Sequence, residues 1–166
     1  MTLRAVVETP RGSRHKFALD PELGAFVLKE TLASGLSWPY DYGFIPKTLG
    51  ADGDPLDILV LMDEPTFSGC VLTVQLLGCI GLTKDGVEND RYVGCLVPQA
   101  ETSLSTDGYR TMSDLPDKLV AEIQQFLKEY SEEKGHLIEL TGCKEGADAL
   151  AGVIDGHEAF QREHGG

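Results

Sequence analysis

Positive charge is what this sequence has least of: 14 lysines and arginines stand against 27 aspartates and glutamates, a formal charge of −13. A nucleic-acid domain needs a basic stripe that displaces counterions from phosphates, and no such run occurs, so nucleic acid is not an expected partner. Cysteine is scarce and unpatterned. Cys70, Cys79, Cys95 and Cys143 form no Cys-x-x-Cys pair and have no zinc-ligand spacing, which points to free thiols in a cytoplasmic protein. Long apolar runs are missing too; none approaches the roughly 20 residues of a membrane span. Met1-Thr2-Leu3-Arg4 leads straight into a strand-like run rather than a signal-peptide core. No membrane partner is therefore expected. With no internal repeat and no clean boundary, residues 1–166 read as a single domain, and 42% apolar residues suffice for a core.

What is present changes period along the chain. Short apolar or alternating runs cover Leu3 to Glu8, His15 to Leu19, Ala25 to Lys29, Ile58 to Met62, Val71 to Leu82 and Tyr92 to Val97, with turn residues between them. Gly78 and Gly81 would let the long fifth run bend into a barrel wall. From about Leu115 the apolar residues Leu119, Val120, Ile123, Phe126, Leu127 and Tyr130 fall at helical spacing. Ser113 or Asp114 can cap that helix, and Gly135 can stop it. A short strand, Leu137 to Leu140, precedes a second helical pattern from about Ala147 to Phe160, weakened by Gly152 and Gly156. Strands without crossover helices, then two helices, predict an α+β, mainly β fold: a small barrel or sandwich with helices packed on it.

The segment with most chemistry is Asp52-Gly53-Asp54-Pro55-Leu56-Asp57, followed at once by the apolar run Ile58-Leu59-Val60-Leu61-Met62. Gly53 and Pro55 bend the chain so that the three carboxylates can converge, and a hard divalent cation is the usual way to offset their repulsion. An EF-hand is excluded because Leu56 and Asp57 stand where a ligand and a glycine belong. A nucleophilic-aspartate phosphatase would place its apolar strand before the acidic pair, not after it. A merely solvated acidic turn is the plain alternative. Against it stands Trp38-Pro39-Tyr40-Asp41-Tyr42-Gly43-Phe44-Ile45-Pro46 just upstream, with hydroxyls able to donate to anionic oxygens, and Lys16 in the second strand. Cations beside carboxylate-held metals are the equipment of phosphoryl transfer. His15, His136, His157 and His164 share no metal spacing and read as surface or helix residues.

These segments resemble the soluble inorganic pyrophosphatases of family I. Asp52 to Ile58 matches that family's acidic signature in full. The likeness also takes in Val7-Glu8-Thr9-Pro10, Lys16, Pro39 to Pro46, Gly78 to Gly81, Tyr130 and Lys134-Gly135. The resemblance implies an OB-like five-stranded barrel with two C-terminal helices packed on it. It further implies hydrolysis of diphosphate by metal-activated water, Mg²⁺ as cofactor with Mn²⁺ or Co²⁺ as substitutes, and a homo-oligomer, a hexamer in bacterial members. Position by position, Asp52 and Asp57 look like ligands of the metals nearest the water, Asp54 like the residue that orients or deprotonates it, and Glu8 like an acid near the outer metals. Lys16, Tyr42 and Tyr130 look like phosphate contacts.

Departures from the family pattern cluster on the substrate side. Ala18 stands where an acid is common, and Trp38 where a tyrosine is usual. Lys29 and Glu30 stand near a usual arginine, and Ser131 where a lysine is common. Lys29 is the expected substitute cation. In the second acidic loop, Lys84 to Arg91, a one-residue shift restores Asp90 as a metal ligand. Asp85 is a further candidate ligand there, and Arg91 can replace a lysine. Two rivals remain: a silent paralogue that binds metal or phosphate without turnover, and an oligonucleotide-binding module, which would interleave aromatic with basic residues.

Overall fold

The computed structural model describes residues 1–97 and 108–165. Its strands are β1 (Thr2–Thr9), β2 (His15–Asp20), β3 (Ala25–Thr31), β4 (Asp41–Phe44), β5 (Asp57–Leu61), β6 (Val71–Lys84), β7 (Val87–Glu88), β8 (Arg91–Leu96) and β9 (Ile138–Glu145); its α-helices are α1 (Asp117–Glu133) and α2 (Gly146–His164). Five strands run in the order β1-β4-β5-β8-β6, and β6 pairs back onto β1, so they close a ring. The expected five-stranded, near-barrel arrangement with two C-terminal helices is therefore present. β7 and β9 extend β6, while β2 and β3 form a separate hairpin.

β6 bends where glycine permits it. Its pairing with β8 slips between Leu76 and Gly78, and its pairing with β9 slips between Gly81 and Leu82. A side chain at Gly81 would meet the Gly142 carbonyl at 2.8 Å, so a close backbone approach requires glycine there. Two apolar cores result. Leu59 and Leu61 face the one under α1, with Trp38, Ile123, Phe126 and Leu127; Ile58 and Val60 face the other, with Val74, Ala149 and Val153 of α2. The period-two alternation within β5 thus feeds both cores, which is why the run reads as continuously apolar.

Several boundaries differ from expectation. β4 was hidden within the aromatic segment. α1 begins after Pro116 rather than at Ser113 or Asp114, because the Asp114 carboxylate accepts the Arg110 and Thr111 N–H groups and caps a separate 3₁₀ turn. Gly135, at φ +78°, ends α1 as expected. α2 runs unbroken through Gly152 and Gly156, where the helix presses onto Tyr92 and Leu56.

Candidate active site

Ladder geometry brings the site together at one mouth of the barrel. β5 and β8 are parallel with Ile58 opposite Tyr92, so the preceding residues, Asp57 and Arg91, stand abreast. Their side chains pair at 2.9 Å and are 21% and 10% exposed. Phe44 lies opposite Asp57, which puts Tyr42, two residues earlier on β4, on the same face as a diagonal neighbour. The Tyr42 hydroxyl lies near enough to Asp57 to favour its ionised form. Burial pushes the Asp57 carboxyl above its usual range against the pull of Arg91 and Tyr42, and Asp52 adds repulsion in the same direction as burial.

The acidic turn itself is a tight loop. Gly53 adopts φ +87°, the Gly50 N–H donates to the Asp54 carbonyl at 2.7 Å, and the Asp54 N–H donates to Asp52 Oδ1 at 3.1 Å. One oxygen of Asp52 is thereby spent on the turn, whereas the Asp54 side chain is exposed. A cleft of about 310 Å³ flanks the turn on the α2 side, lined by Asp52, Asp57, Asn89 and Asp90 together with Asp155 and Arg162. Lys16, Tyr42 and Tyr130 do not line it; Asp57 is common to both groups.

Two bulges aim the next residues. In β1, Val7 pairs with Gly43 and Thr9 with Tyr42, which leaves Glu8 as the extra residue. Its Oε2 accepts the Leu19 N–H at 2.8 Å, and Thr9 exchanges two hydrogen bonds with Phe17, so the β2–β3 hairpin is fastened to the barrel. Burial raises the Glu8 pKa, and Asp57 and Asp54 add to it, against Leu19 and Lys16. Lys16 arrives on the same hairpin. Burial lowers its pKa to about 8, with Lys134 the next contributor.

The second bulge decides which β3 residue reaches the site. Lys16 pairs with Glu30 and Phe17 with Leu28, so Lys29 is the unpaired residue. Lys29 is exposed and makes no hydrogen bond or ion pair among the described residues, whereas Glu30 reaches inward to Tyr130 and Lys134. Neither Glu30 nor Lys134 was among the expected site residues. The signal was there for Lys134, which lies four residues after Tyr130, the spacing that stacks side chains on one helix face. Trp38 ties the two tyrosines together, with ring centroids 4.5 Å from Tyr42 and 5.1 Å from Tyr130. Its indole N–H is buried with no acceptor among the described residues, and so is Arg91 Nε.

The second acidic loop divides. Asp90 is buried, with Oδ1 accepting the Leu82 N–H at 3.1 Å and Oδ2 held by Lys144 Nζ at 2.6 Å, yet it lines the cleft beside Asp52 and Asp57. Asp85 sits exposed at the β6–β7 turn, where the Leu137 N–H and His136 hold its carboxyl below the usual range. Among the described residues its side-chain partners are Leu137 and His136, neither of which lines the cleft. Among the described residues, no three His, Cys, Asp or Glu side chains yet converge as a formed metal site.

The closed ring carrying two C-terminal helices is the architecture of solved inorganic pyrophosphatases. The enzyme from Thermus thermophilus superposes with a TM-score of 0.86 at 32% identity, covering 96% of this chain and 91% of its own; that from Helicobacter pylori gives 0.89 at 26%, covering 96% and 94%. Among curated relatives, the inorganic pyrophosphatase of Geobacillus stearothermophilus is 37% identical over 92% of this chain and 90% of its own length, and that of Halalkalibacterium halodurans is 37% identical over 98% and 96%. The family profile for inorganic pyrophosphatase matches residues 5–161, and the chain belongs to that family.

Proposed function

We propose that this chain hydrolyses inorganic diphosphate to two phosphates, with Asp54 orienting or deprotonating the attacking water. The observation that carries the reading is the meeting of Asp52, Asp57 and Glu8 with Lys16, Arg91, Tyr42 and Tyr130 at one barrel mouth. The donor set is all hard oxygen, which suits Mg²⁺, with Mn²⁺ or Co²⁺ as substitutes. Its electrostatics also suit a cation: burial and mutual repulsion raise the carboxyls of Glu8 and Asp57, the mark of a group short of positive charge. Asp52 and Asp57 would hold the metal, with Asp90 and Glu8 as further ligands. Bound there, it would supply charge neutralisation and a more acidic water.

The chain's own residues do the rest. Lys16, Arg91 and the hydroxyls of Tyr42 and Tyr130 grip phosphate oxygens. The exposed Asp54 carboxylate takes the proton of water as its oxygen bonds to one phosphorus, and the bridging P–O bond breaks to release the second phosphate. Lys29 and Asp85, without contacts to the mouth, have no part in this reading.

Phosphate release from diphosphate by purified protein, with and without Mg²⁺, tests it alongside Asp54→Asn. Metal-dependent release that the variant loses is the expected outcome. A second reading, a silent binding paralogue, is favoured by the two ion pairs that already neutralise Asp57 and Asp90. Absence of release in Mg²⁺, Mn²⁺ and Co²⁺ alike would establish it instead. Four free cysteines fit a reducing cytoplasm, and no described helix is long and apolar enough to cross a membrane. The exposed apolar residues Leu23, Leu28, Phe67 and Val71 suit a homo-oligomer, a hexamer by family resemblance, which sedimentation would check.

A further inference from the structure

An anion seat lies between β3 and the end of α1, and this protein fills it with its own carboxylate. Glu30 Oε1 accepts the Tyr130 hydroxyl at 2.8 Å and also pairs with Lys134 Nζ, the two charged side chains each being 28% exposed. Lys134 Nζ stands 4.6 Å from the centroid of the Tyr130 ring and Lys16 Nζ 5.3 Å from it. Lys16 is moreover the cross-strand partner of Glu30. One carboxylate oxygen therefore receives a phenol and an ammonium, with a second ammonium beside it. Those are the contacts a phosphate oxygen takes: charged donors with no competing acceptor.

Helix geometry explains why the cation comes from Lys134. Ser131 is buried at the end of α1 and carries no charge; Lys134 follows Tyr130 by four residues, so its side chain returns over that ring. Bulging at Lys29 turns Glu30, and not Lys29, toward it. Without Glu30, two ammonium groups would face each other across Tyr130. The electrostatics agree: Lys134 contributes to the lowered pKa of Lys16, and, although burial opposes it, hydrogen bonds from Lys134 and Tyr130 hold Glu30 below the usual carboxylate range.

We propose that Lys134 is a substrate-binding cation of this protein, and that Glu30 is a built-in stand-in whose place an oxygen of diphosphate takes. The proposal rests on the reading of the mouth as a diphosphate site. A phosphate group brings more charge and more acceptor oxygens than one carboxylate, so it wins both donors. Glu30, on the exposed hairpin, turns out to solvent. Lys134 then works in concert with Lys16, and the ring of Tyr130 keeps the two ammonium groups oriented.

The test compares wild type, Lys134→Met, Lys134→Arg and Glu30→Gln as full chains with Mg²⁺. Lys134→Met should raise KM for diphosphate about tenfold, the worth of one charge-assisted hydrogen bond at a partly exposed site, with kcat changed far less. Lys134→Arg should recover most of the loss. Glu30→Gln should lower KM about threefold, since the ion pair that substrate must displace is gone. Calorimetric titration with inorganic phosphate should move the same way for each variant, independently of turnover. Unchanged KM and phosphate affinity in Lys134→Met, or weaker binding in Glu30→Gln, would overturn the proposal. A structural role alone would lower the thermal midpoint and leave KM in place, which also overturns it. Should wild type bind phosphate and turn over no diphosphate, the proposed activity fails while the phosphate titration still decides the seat.

Discussion

Asp54 and Asp57 are three residues apart, yet the structure gives them opposite situations, and their amides should separate accordingly. Asp57 is half-buried and paired with Arg91 at 2.9 Å, and it lies near the Tyr42 hydroxyl. Breaking a fully buried pair from one side costs about 3–5 kcal/mol, and an exposed pair is worth about 0–1 kcal/mol. Exposures of 21% and 10% place this pair between those limits. The repulsion from Asp52 and the cost of burial, which both push the Asp57 carboxyl up, subtract from the gain. Because together they outweigh the pull of Arg91 and Tyr42, the ionised carboxylate is held at a net cost. Asp57→Asn should therefore leave the metal-free protein as stable as wild type or raise its stability by up to about 1 kcal/mol, a rise of up to about 2–4 °C in Tm for a chain of this size. The Asp54 carboxylate, by contrast, makes no hydrogen bond or ion pair among the described residues. Its amide should alter stability by less than about 0.5 kcal/mol.

Function should divide the same way. As a proposed ligand, Asp57 contributes charge to the metal, so its amide should weaken Mg²⁺ binding at least about tenfold and abolish turnover. Asp54→Asn should leave Mg²⁺ affinity nearly intact and lower kcat by about 10²–10⁴, the usual worth of a positioned general base. Thermal scans in chelator, calorimetric titration with Mg²⁺, and phosphate release give the three readouts. Equal loss of metal affinity in both variants would refute the division of roles. A clear fall in Tm for Asp57→Asn in chelator would refute the structural reasoning behind it.

The remaining predictions concern single contacts. Lys16 has its folded pKa lowered from 10.5 to about 8, so between those values the unfolded chain binds the extra proton and stability rises with pH. Measured against Lys16→Met in metal-free protein, wild type should gain up to roughly 3 kcal/mol between pH 7 and 10.5; a constant difference would show that Lys16 is not desolvated. Gly156→Ala would set a Cβ 2.8 Å from Leu56 Cδ1, lifting α2 from the acidic turn. The clash, about 1–3 kcal/mol, should exceed the roughly 1 kcal/mol gained in helix propensity, so Tm falls, and a rise would mean that Leu56 yields freely. Lys144→Gln removes the cation on Asp90, held at 2.6 Å. Mg²⁺ affinity should then increase as Asp90 is freed, and a decrease would argue against Asp90 as a ligand.

Much of this was legible because burial leaves a period in the sequence. β5 and the face of α1 read directly from apolar spacing, and the three aspartates ahead of β5 were fixed in place by it. β4 was not legible: Asp41, Tyr42 and Gly43 are all buried, and Asp41 is satisfied by Arg11 and Thr66 rather than by any pattern in its own strand. The choice between Lys29 and Glu30 was beyond sequence reasoning for a sharper reason. Strand side chains alternate faces, so one bulged residue exchanges which of two neighbours reaches the site. The family resemblance favoured Lys29 as the substitute cation; the register of Lys16 with Glu30 leaves Lys29 exposed at the bulge and turns Glu30 inward. Glu8 shows the same device working the other way, since its bulge is what frees the side chain to reach Leu19 and the mouth.

The site's acids and bases are not arranged at random with respect to one another. Asp57 pairs with Arg91, Asp90 with Lys144, and Glu30 with Lys134, while Glu8, Asp52 and Asp54 have no cation paired to them among the described residues. On the proposed reading, two of these pairs join a metal ligand to a cation, and the third joins the substrate's stand-in to a substrate contact. A metal alone would have to take Asp57 from Arg91 and leave that guanidinium, already short of an acceptor at Nε, without a counter-charge. Phosphate alone would free Glu30 and add negative charge to a mouth that already holds unpaired carboxylates. Brought together, metal and diphosphate supply most of the separated partners with replacements: the cation goes to Asp57 and Asp90, the phosphate oxygens go to Arg91 and Lys134 with Lys16 beside them, and Lys144, 42% exposed, turns to solvent. Because linkage is reciprocal, whatever each gains from the other's presence is the same free energy seen from either side. The ion pairs that would make this protein look neutralised at rest are, on that account, what couples its metal to its substrate.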